Sequence, residues 1–225
     1  MKNIVCIIAH PDDEAFGPGG TIIKLARRHQ VYIICATKGE AGQPAGQKGG
    51  AAFGRIRERE LLASAKILGV KKVFFLGFCD GQLSNSIYQP LAKKIEKILR
   101  RLKPETIITY EPRGISGHID HIVVSMVSSF VFRKLPFIKK IMYICILEKF
   151  AKMNRDYFVY VPPGCTEAGI DLTVDVSSVW DQKVRAMFAH RSQIQDVKWM
   201  ADVAEKFPKK EYFLVKRKQR LLKEK

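Results

Sequence analysis

The sequence predicts an α/β protein with a Rossmann-like, three-layer αβα architecture around a mainly parallel sheet. Apolar, β-branched runs alternate with helical patterns, which is typical of parallel strands covered by helices on both faces. The chain has 225 residues, 47% of them hydrophobic, which suits a single domain with a sizeable core. Charged, glycine-rich motifs follow the predicted strands, where such sheets bind their ligands.

The strands and helices follow one another in regular order. The first segment, NIVCIIA at 3–9, is a continuous apolar run and predicts a buried strand. Further strands are predicted at 31–37, 72–78, 106–112 and 140–147, with weaker ones at 171–177 and 211–217. Helices are predicted at 20–30, 55–70, 88–105, 118–134 and 179–194. Gly69 and Pro104 mark the ends of the second and third helices.

The charge balance is strongly basic, with a net charge of +17. Much of it lies in a C-terminal tail at about 206–225 and in the segment RKLPFIKK at 133–140. Such a balance predicts either a solvated basic surface or affinity for an anionic partner. No nucleic-acid-binding motif is present, so we expect no specific nucleic acid partner. Peripheral contact with an anionic membrane surface and a homo-oligomer both stay open.

The cysteines and the apolar runs bear on the compartment. Five cysteines are scattered without CxxC spacing, which argues for reduced thiols rather than a disulfide framework or a cysteine zinc site. No run of about 18 apolar residues lacks charge, so we expect no membrane span. The first apolar run is interrupted by His10 and acidic residues, so we expect no secretory signal and a cytoplasmic protein.

Four predicted strands end in loops with charged side chains. HPDDE follows the first strand, TKGEAGQPAGQKGG the second, CDG the third and EPRGISGHIDH the fourth. Because parallel strands end at the same edge of a sheet, these loops predict a single site. The glycine-rich segment 42–54 is interpreted as a loop over that site or as a plain surface loop.

Two of these loops contain the residue types of a metal site. His10 and Asp13 are three residues apart in the first loop, and His118 and His121 are three apart in the fourth. Two histidines and one carboxylate leave a position open, which is the catalytic form of a zinc site. Of the neighbouring aspartates, one binds the metal and the other takes a proton. The spacing alone does not decide which histidine of the second pair binds the metal.

Six motifs together resemble the N-acetylglucosaminyl-phosphatidylinositol de-N-acetylase family, also called the PIG-L or LmbE-like family. They are AHPDDE, TKGEAG, RERELLASAKILGV, FLGFCDG, GHIDH and KVRAMFAHRSQ, and they span residues 9–193 in the family's order. The resemblance implies a single LmbE-like domain over 1–225 and zinc-dependent deacetylation of an N-acetylglucosamine-type substrate. Another divalent metal in place of zinc stays open.

The resemblance also implies roles for individual residues. His10, Asp13 and His121 would bind zinc, Asp12 would be the general base, and His118 would stabilise the transition state or protonate the leaving amine. Three further residues would line the substrate site: Arg57, Asp80 and Ser116. Two acidic residues, Glu14 and Asp120, would orient the backbone and the ligands.

Two positions need separate comment. Ser116 stands where many relatives have a tyrosine that helps to bind the oxyanion, and loss of such a donor costs about 10²–10³ in rate. His190 matches the family's late motif, which suggests packing beside the site. We nevertheless favour the interpretation of His190 as a satisfied histidine on a helix face.

The sequence therefore predicts a zinc-dependent hydrolase that removes the acetyl group from an N-acetylated sugar or glycoconjugate. Substrate specificity is expected in the segments 42–54 and 154–169. The alternatives are an inactive relative that binds an anionic surface and a metal-dependent phosphoesterase. The basic charge favours both alternatives, and Ser116 favours the first.

Overall fold

The structure is a computed structural model, and it describes residues 1–42, 49–154 and 160–218. Parts of three predicted segments therefore lie outside the described residues: 43–48 of the loop at 42–54, 155–159 of the segment at 154–169, and 219–225 of the basic tail. The strands are β1 (Asn3–Ile8), β2 (Gln30–Cys35), β3 (Lys72–Phe75), β4 (Thr106–Tyr110), β5 (Lys140–Cys145), β6 (Leu172–Asp175) and β7 (Lys210–Arg217).

The strands form one mixed sheet in the order β3-β2-β1-β4-β5-β7-β6. The first five strands in this order are parallel, whereas β7 pairs with β5 and β6 in antiparallel register. The predicted α/β class with a mainly parallel sheet is therefore confirmed. The sheet has two edges that matter below. The carboxyl edge lies where the parallel strands end, and the amino edge lies where they begin.

The helices are α1 (Asp13–Phe16), α2 (Gly19–Ala26), α3 (Ala51–Leu68), α4 (Tyr88–Leu102), α5 (Gly114–Gly117), α6 (Ile119–Lys134), α7 (Glu148–Ala151), α8 (Trp180–Met187) and α9 (Ile194–Glu205). The helices α2, α3 and α8 pack together, and α4 packs on α6. These two groups cover the sheet as outer layers, and the middle strand β1 is fully buried from Val5 to Ile8. Among the described residues, no helix combines the length and apolar composition needed to cross a membrane.

The C-terminal part differs most from the prediction. The helix predicted over 179–194 ends at Met187, and a separate helix, α9, follows a short turn at 191–193. The sequence did not predict α9, because its buried residues are Val197 and Val203, whose spacing makes no continuous apolar stripe. Much of the basic tail is the strand β7, which lies inside the sheet with Phe213 fully buried.

The strand order locates the site. The chain moves from β1 to β2 and β3 on one side, and then crosses to β4 and β5 on the other. The reversal leaves a crevice at the carboxyl edge between β1 and β4, where sheets of this kind bind ligands. The two loops with metal-ligating residues follow these two strands.

Candidate metal centre

The loop after β1 turns sharply at Asp12. This residue has φ 109° and ψ −31°, a conformation that non-glycine residues rarely adopt. The Asp12 amide donates to Glu14 Oε2 at 3.0 Å, and Arg57 Nη2 donates to the Pro11 carbonyl at 2.6 Å. Strained conformations of this kind persist where the surroundings hold them, and they cluster at functional sites. The turn brings both Asp12 and Asp13 to the crevice.

Three side chains from the two loops bring their donor atoms together in the crevice. His10 Nδ1 lies 3.2 Å from His121 Nε2 and 3.5 Å from Asp13 Oδ2, and His121 Nε2 lies 3.3 Å from Asp13 Oδ1. Tetrahedral ligands with bonds of about 2.0–2.1 Å to zinc lie about 3.3–3.4 Å apart. The three side chains therefore have the spacing and the chemistry to hold a divalent metal ion.

The far nitrogen of each imidazole faces an acceptor. His121 Nδ1 lies 3.1 Å from the Gly114 carbonyl, so this nitrogen carries the proton and leaves Nε2 with its lone pair. His10 Nε2 lies 2.9 Å from Asp80 Oδ1 and 3.2 Å from Asp120 Oδ2, which places its proton on Nε2. Hydrogen bonds of this kind orient histidines that bind metals and raise their basicity.

Tyr110, the last residue of β4, contacts two members of this set. Its hydroxyl donates to Asp13 Oδ2 at 2.5 Å and accepts from the Ala9 amide at 2.6 Å. Its ring stacks on His121 with centroids 4.1 Å apart and an angle of 3° between the planes. Sequence reasoning missed Tyr110, because a tyrosine at the end of a buried strand has the pattern of a core residue.

The buried charges shift one another's pKa values. Burial alone would lower the pKa of His10, but hydrogen bonds with Asp120, Asp13 and Asp80 raise it well above its usual value. Burial alone would raise the pKa of Asp13, but His121 and His10 hold it well below its usual range. The site therefore favours a charged carboxylate at Asp13, the form that binds a cation.

Asp12 lies beside the three donors and is paired with Arg57. Arg57 Nη2 donates to Asp12 Oδ2 at 2.8 Å, and its Nη1 donates to the Gly39 carbonyl at 2.9 Å. Burial raises the pKa of Asp12 to about 6, against the opposing charge of Arg57. A Cβ atom at Gly39 would collide with the guanidinium, and its φ of 68° also favours glycine.

Arg57 occupies a different place from the one expected of a sugar contact. It is 5% exposed, and Nη1 and Nη2 bond to protein atoms of the turns around Pro11 and Gly39. The structure thus places it beneath Asp12. The sequence contained a signal for this pairing, because an arginine at a mainly buried position of α3 needs a carboxylate partner.

His118 opens α6 beside the donor set. Its Nδ1 accepts the Asp120 amide at 3.1 Å and caps the helix, and its ring lies 4.7 Å from that of His10. Burial lowers the pKa of His118 to about 4, helped by the charges of His10 and His121. His118, His10 and Asp120 form a second cluster that could hold a metal. Asp120 in this cluster already accepts the amides of Gly81 and Leu83.

Asp80 and Ser116 lie on two different sides of the crevice. Asp80 Oδ1 contacts His10, and Oδ2 accepts the Ala41 amide at 3.0 Å, so Asp80 connects the loop after β2 to His10. The Ser116 hydroxyl donates to the Gly114 carbonyl at 3.5 Å and accepts the His118 amide at 3.4 Å. Both of these contacts of the hydroxyl are with its own turn.

Glu14 and His190 form a buried network below the turn. The fully buried Glu14 accepts from Ser64 Oγ at 2.5 Å and faces His190 Nε2 at 2.7 Å, besides holding the Asp12 amide. His190 lies after α8, so its interpretation as a histidine on a helix face was wrong. It is fully buried and contacts Glu14, which in turn accepts the Asp12 amide, so it lies close to the site, as the family motif suggested.

Comparison with known proteins gives consistent matches. The family profile of GlcNAc-PI de-N-acetylase, PIG-L, matches residues 5–131. A probable N-acetyl-alpha-D-glucosaminyl L-malate deacetylase 2 of Bacillus cereus is 31% identical, over 86% of this chain and 84% of the relative. The diacetylchitobiose deacetylase of Thermococcus kodakarensis is 30% identical, over 88% of this chain and 73% of the relative.

A solved structure extends the similarity to the fold. The N,N'-diacetylchitobiose deacetylase from Pyrococcus horikoshii, solved with an inhibitor, superposes with a TM-score of 0.73 at 26% identity. The match covers 96% of this chain and 84% of that one. The profile match includes both loops of the crevice and the strands that position them. By its motifs, fold and sequence similarity, the chain belongs to the PIG-L family of GlcNAc-PI de-N-acetylases.

Proposed function

We propose that this protein is a zinc-dependent hydrolase that removes the acetyl group from an N-acetylglucosamine-type sugar. The observation that carries the proposal is the close approach of donor atoms from His10, Asp13 and His121, which could hold one metal ion between them. Relatives named as deacetylases support the reaction class. In such a site, zinc supplies polarisation of the acetyl carbonyl and a lower pKa for a water molecule.

His10 Nδ1, His121 Nε2 and the Asp13 carboxylate would hold the ion. This choice rests on the hydrogen bonds of the opposite ring nitrogens, His121 Nδ1 and His10 Nε2. Because these nitrogens carry the protons, His121 Nε2 and His10 Nδ1 keep their lone pairs, and both lie close to Asp13. His118 is less suited, because its Nδ1 lone pair already accepts the Asp120 amide. The other nitrogen of the neutral ring then carries the proton and has no lone pair to offer a metal. Tyr110 and the His10 amide fix the rotamer of Asp13 through its Oδ2 atom. The donors are therefore oriented by the protein itself.

Asp12 would act as the general base. Arg57 binds its Oδ2 atom, so we assign the proton transfer to Oδ1. Oδ1 takes a proton from the attacking water while the water oxygen bonds to the acetyl carbon. The carbon–nitrogen bond then breaks, and the same proton passes from Asp12 to the amine nitrogen. The second proton of the water leaves with the acetic acid product and passes to solvent or to the released amine. The products are acetate and the amino sugar, and Asp12 is again a carboxylate.

His118 would stabilise the transition state. In the neutral imidazole only one nitrogen carries a proton, and Nδ1 is the acceptor of the Asp120 amide. The proton therefore lies on Nε2, from which it can be donated to the oxygen of the acetyl group as negative charge develops there. Ser116 bonds within its own turn, so we assign this task to His118 alone.

The shared part of the relatives' substrates defines the substrate class. By their names, the two relatives above act on N-acetylglucosamine linked to malate or to a second sugar. A third relative, the 1D-myo-inositol 2-acetamido-2-deoxy-alpha-D-glucopyranoside deacetylase of Corynebacterium efficiens, is 28% identical and is named for an inositol-linked substrate. Their common unit is the acetylated amine on a glucosamine ring, and we propose this unit as the substrate group. The free thiols of all five cysteines fit a reducing compartment, and we propose the cytoplasm.

The proposal is tested by measuring acetate release. The purified chain is loaded with zinc and offered N-acetylglucosamine, diacetylchitobiose, and N-acetylglucosamine linked to inositol or to malate. We expect acetate and a free amine from at least one of them, and none from the Asp12→Asn variant. Release of phosphate from phosphate esters by the zinc-loaded chain, without acetate from any of these compounds, would refute the proposal.

A further inference from the structure

The amino edge of the sheet, opposite the metal centre, carries a concentration of cations. The helices that cross between parallel strands all end there, and the connections that follow them are basic: 27–28, 71–72, 100–103 and 133–140. Exposed members include Arg27, Arg28, Lys71, Arg133 and Lys139. The fold thus gathers at one edge the basic residues that are spread along the sequence.

The antiparallel strand β7 adds its end to the same edge. Arg217 stands directly opposite Lys140 on β5, and Lys218 bonds to the Leu135 carbonyl at 2.7 Å. Like charges directly opposite each other across a strand pair are destabilising. Burial lowers the pKa of Lys140, and the charges of Arg217 and Lys2 lower it further. An anion bound beside Lys140 and Arg217 would reduce the repulsion between them.

The carboxylates at this edge, in the described part of the chain, are already engaged. Glu105 pairs with Lys2 at 2.7 Å, and Glu96 pairs with both Arg100 at 2.6 Å and Lys134 at 2.8 Å. Asp171 accepts the Val215 amide at 2.7 Å. The cations outnumber these carboxylates, so the edge keeps a large positive charge that its own acids do not neutralise.

The aromatic rings at this edge favour a lipid surface over a nucleic acid. Phe74 lies under Lys72 and Arg101, Phe132 lies under Lys218, and Phe130, which is 51% exposed, lies under Lys134. A cation lies over one face of each of these rings, and Phe132 is buried, so few ring faces are left for the stacked bases that single-stranded nucleic acids need. Basic side chains mixed with an exposed aromatic ring suit the interface of an anionic membrane.

We propose that the amino edge is a docking surface for a membrane rich in acidic phospholipids. Each cation near such a surface strengthens binding by about fivefold, so the edge as a whole supplies reversible, salt-dependent attachment. The six-residue strand β1 separates the two edges by about 20 Å. Docking would therefore leave the crevice facing water. If the proposed deacetylase function holds, the docked enzyme takes substrates from solution rather than from the bound lipid.

The test is sedimentation of the full chain with lipid vesicles. We expect binding to vesicles of equal parts phosphatidylglycerol and phosphatidylcholine, no binding to phosphatidylcholine alone, and loss of binding as salt is raised. Arg27→Glu/Arg28→Glu removes two exposed edge cations, and we expect at least about tenfold weaker binding. The matched control is Lys198→Glu/Lys206→Glu, which changes the net charge equally on exposed residues outside this edge.

Three outcomes would overturn the proposal. The first is equal weakening by the edge and control variants, which would mean that only net charge matters. The second is binding to vesicles without acidic lipid. The third is tighter binding to duplex DNA or single-stranded RNA than to the anionic vesicles at the same salt. Thermal unfolding of both variants checks that they fold, and Arg133→Gln/Lys139→Gln repeats the test without adding negative charge. None of these readouts depends on acetate release.

Discussion

The two edges of the sheet contain ion pairs of nearly equal length with very different consequences. Arg57 and Asp12, at the carboxyl edge, are 2.8 Å apart with side chains 6% and 13% exposed. Lys2 and Glu105, at the amino edge, are 2.7 Å apart with side chains 60% and 48% exposed. Water screens the second pair but hardly reaches the first. An ion pair of similar length therefore holds the Asp12 carboxylate in place at the carboxyl edge, whereas at the amino edge it leaves both charges in contact with water.

The largest effect is expected from removing a proposed metal ligand. His10→Ala, Asp13→Ala or His121→Ala each leaves two donors of three, and we expect the protein to lose zinc on dialysis. Metal analysis of the dialysed proteins measures this, with the amino-edge variant Lys2→Met as the control that keeps its zinc. Zinc retained at wild-type affinity by His121→Ala would contradict the assignment.

Next in size is the loss of turnover in Asp12→Asn. The substitution keeps the shape of the side chain but removes the proton acceptor, so we expect a decrease of about 10²–10⁴ in the rate of acetate release. Zinc content should stay at the wild-type value, because Asp12 is not among the proposed ligands. Undiminished turnover would exclude Asp12 as the general base.

Arg57→Met should cost more stability than any change at the amino edge. Removing the cation leaves a buried carboxylate without its partner, which costs about 3–5 kcal/mol in the free energy of unfolding. Denaturant unfolding measures the loss. The double variant Arg57→Met/Asp12→Asn removes both charges and should recover part of it. Equal losses in the single and double variants would show that the pair is not coupled.

Tyr110→Phe should weaken zinc binding without abolishing it. The ring still stacks on His121, but Asp13 loses a hydrogen bond that fixes its rotamer, so we expect about 10–100-fold lower affinity. Competition with a chelator measures the affinity. Tyr143→Phe is the matched control, because it removes a buried hydroxyl that bonds to Ser129 instead. An equal change in both variants would assign the effect to general destabilisation.

The smallest effect is expected from Lys2→Met. This variant breaks the exposed pair with Glu105, and we expect a change of about 0–1 kcal/mol in the free energy of unfolding, smaller still at high salt. Denaturant unfolding at two salt concentrations checks it. If Lys2→Met lowered the free energy of unfolding as much as Arg57→Met, burial would not explain the difference between the ion pairs at the two edges.

The fold was largely predictable because its signal is local. Each buried parallel strand, such as Val5–Ile8 in β1, is a continuous apolar run that can be recognised without its neighbours. The strand β7 was recognised only as a weak segment in a basic tail, since its charged ends hide the buried Phe213. Helix α9 was missed for a different reason, because few of its residues are buried and they form no continuous apolar stripe.

The candidate site was predictable in its residue types but not in its supporting contacts. His10, Asp13 and the pair His118 and His121 were expected together because they follow strands at the same edge. The family resemblance singled out His121, and the structure brings its donor atom close to those of His10 and Asp13. Tyr110, Ser64 and the place of Arg57 beneath Asp12 depend on which buried polar atoms face each other across the fold. Spacing along a sequence does not contain that information.

The central claim is that two loops hold one zinc ion with two imidazoles and a carboxylate. X-ray absorption spectroscopy of the zinc-loaded protein tests it most directly. We predict two imidazole nitrogens and carboxylate or water oxygens at about 2.0–2.2 Å. A spectrum with sulfur at about 2.3 Å, or with fewer than two imidazoles, would contradict the account.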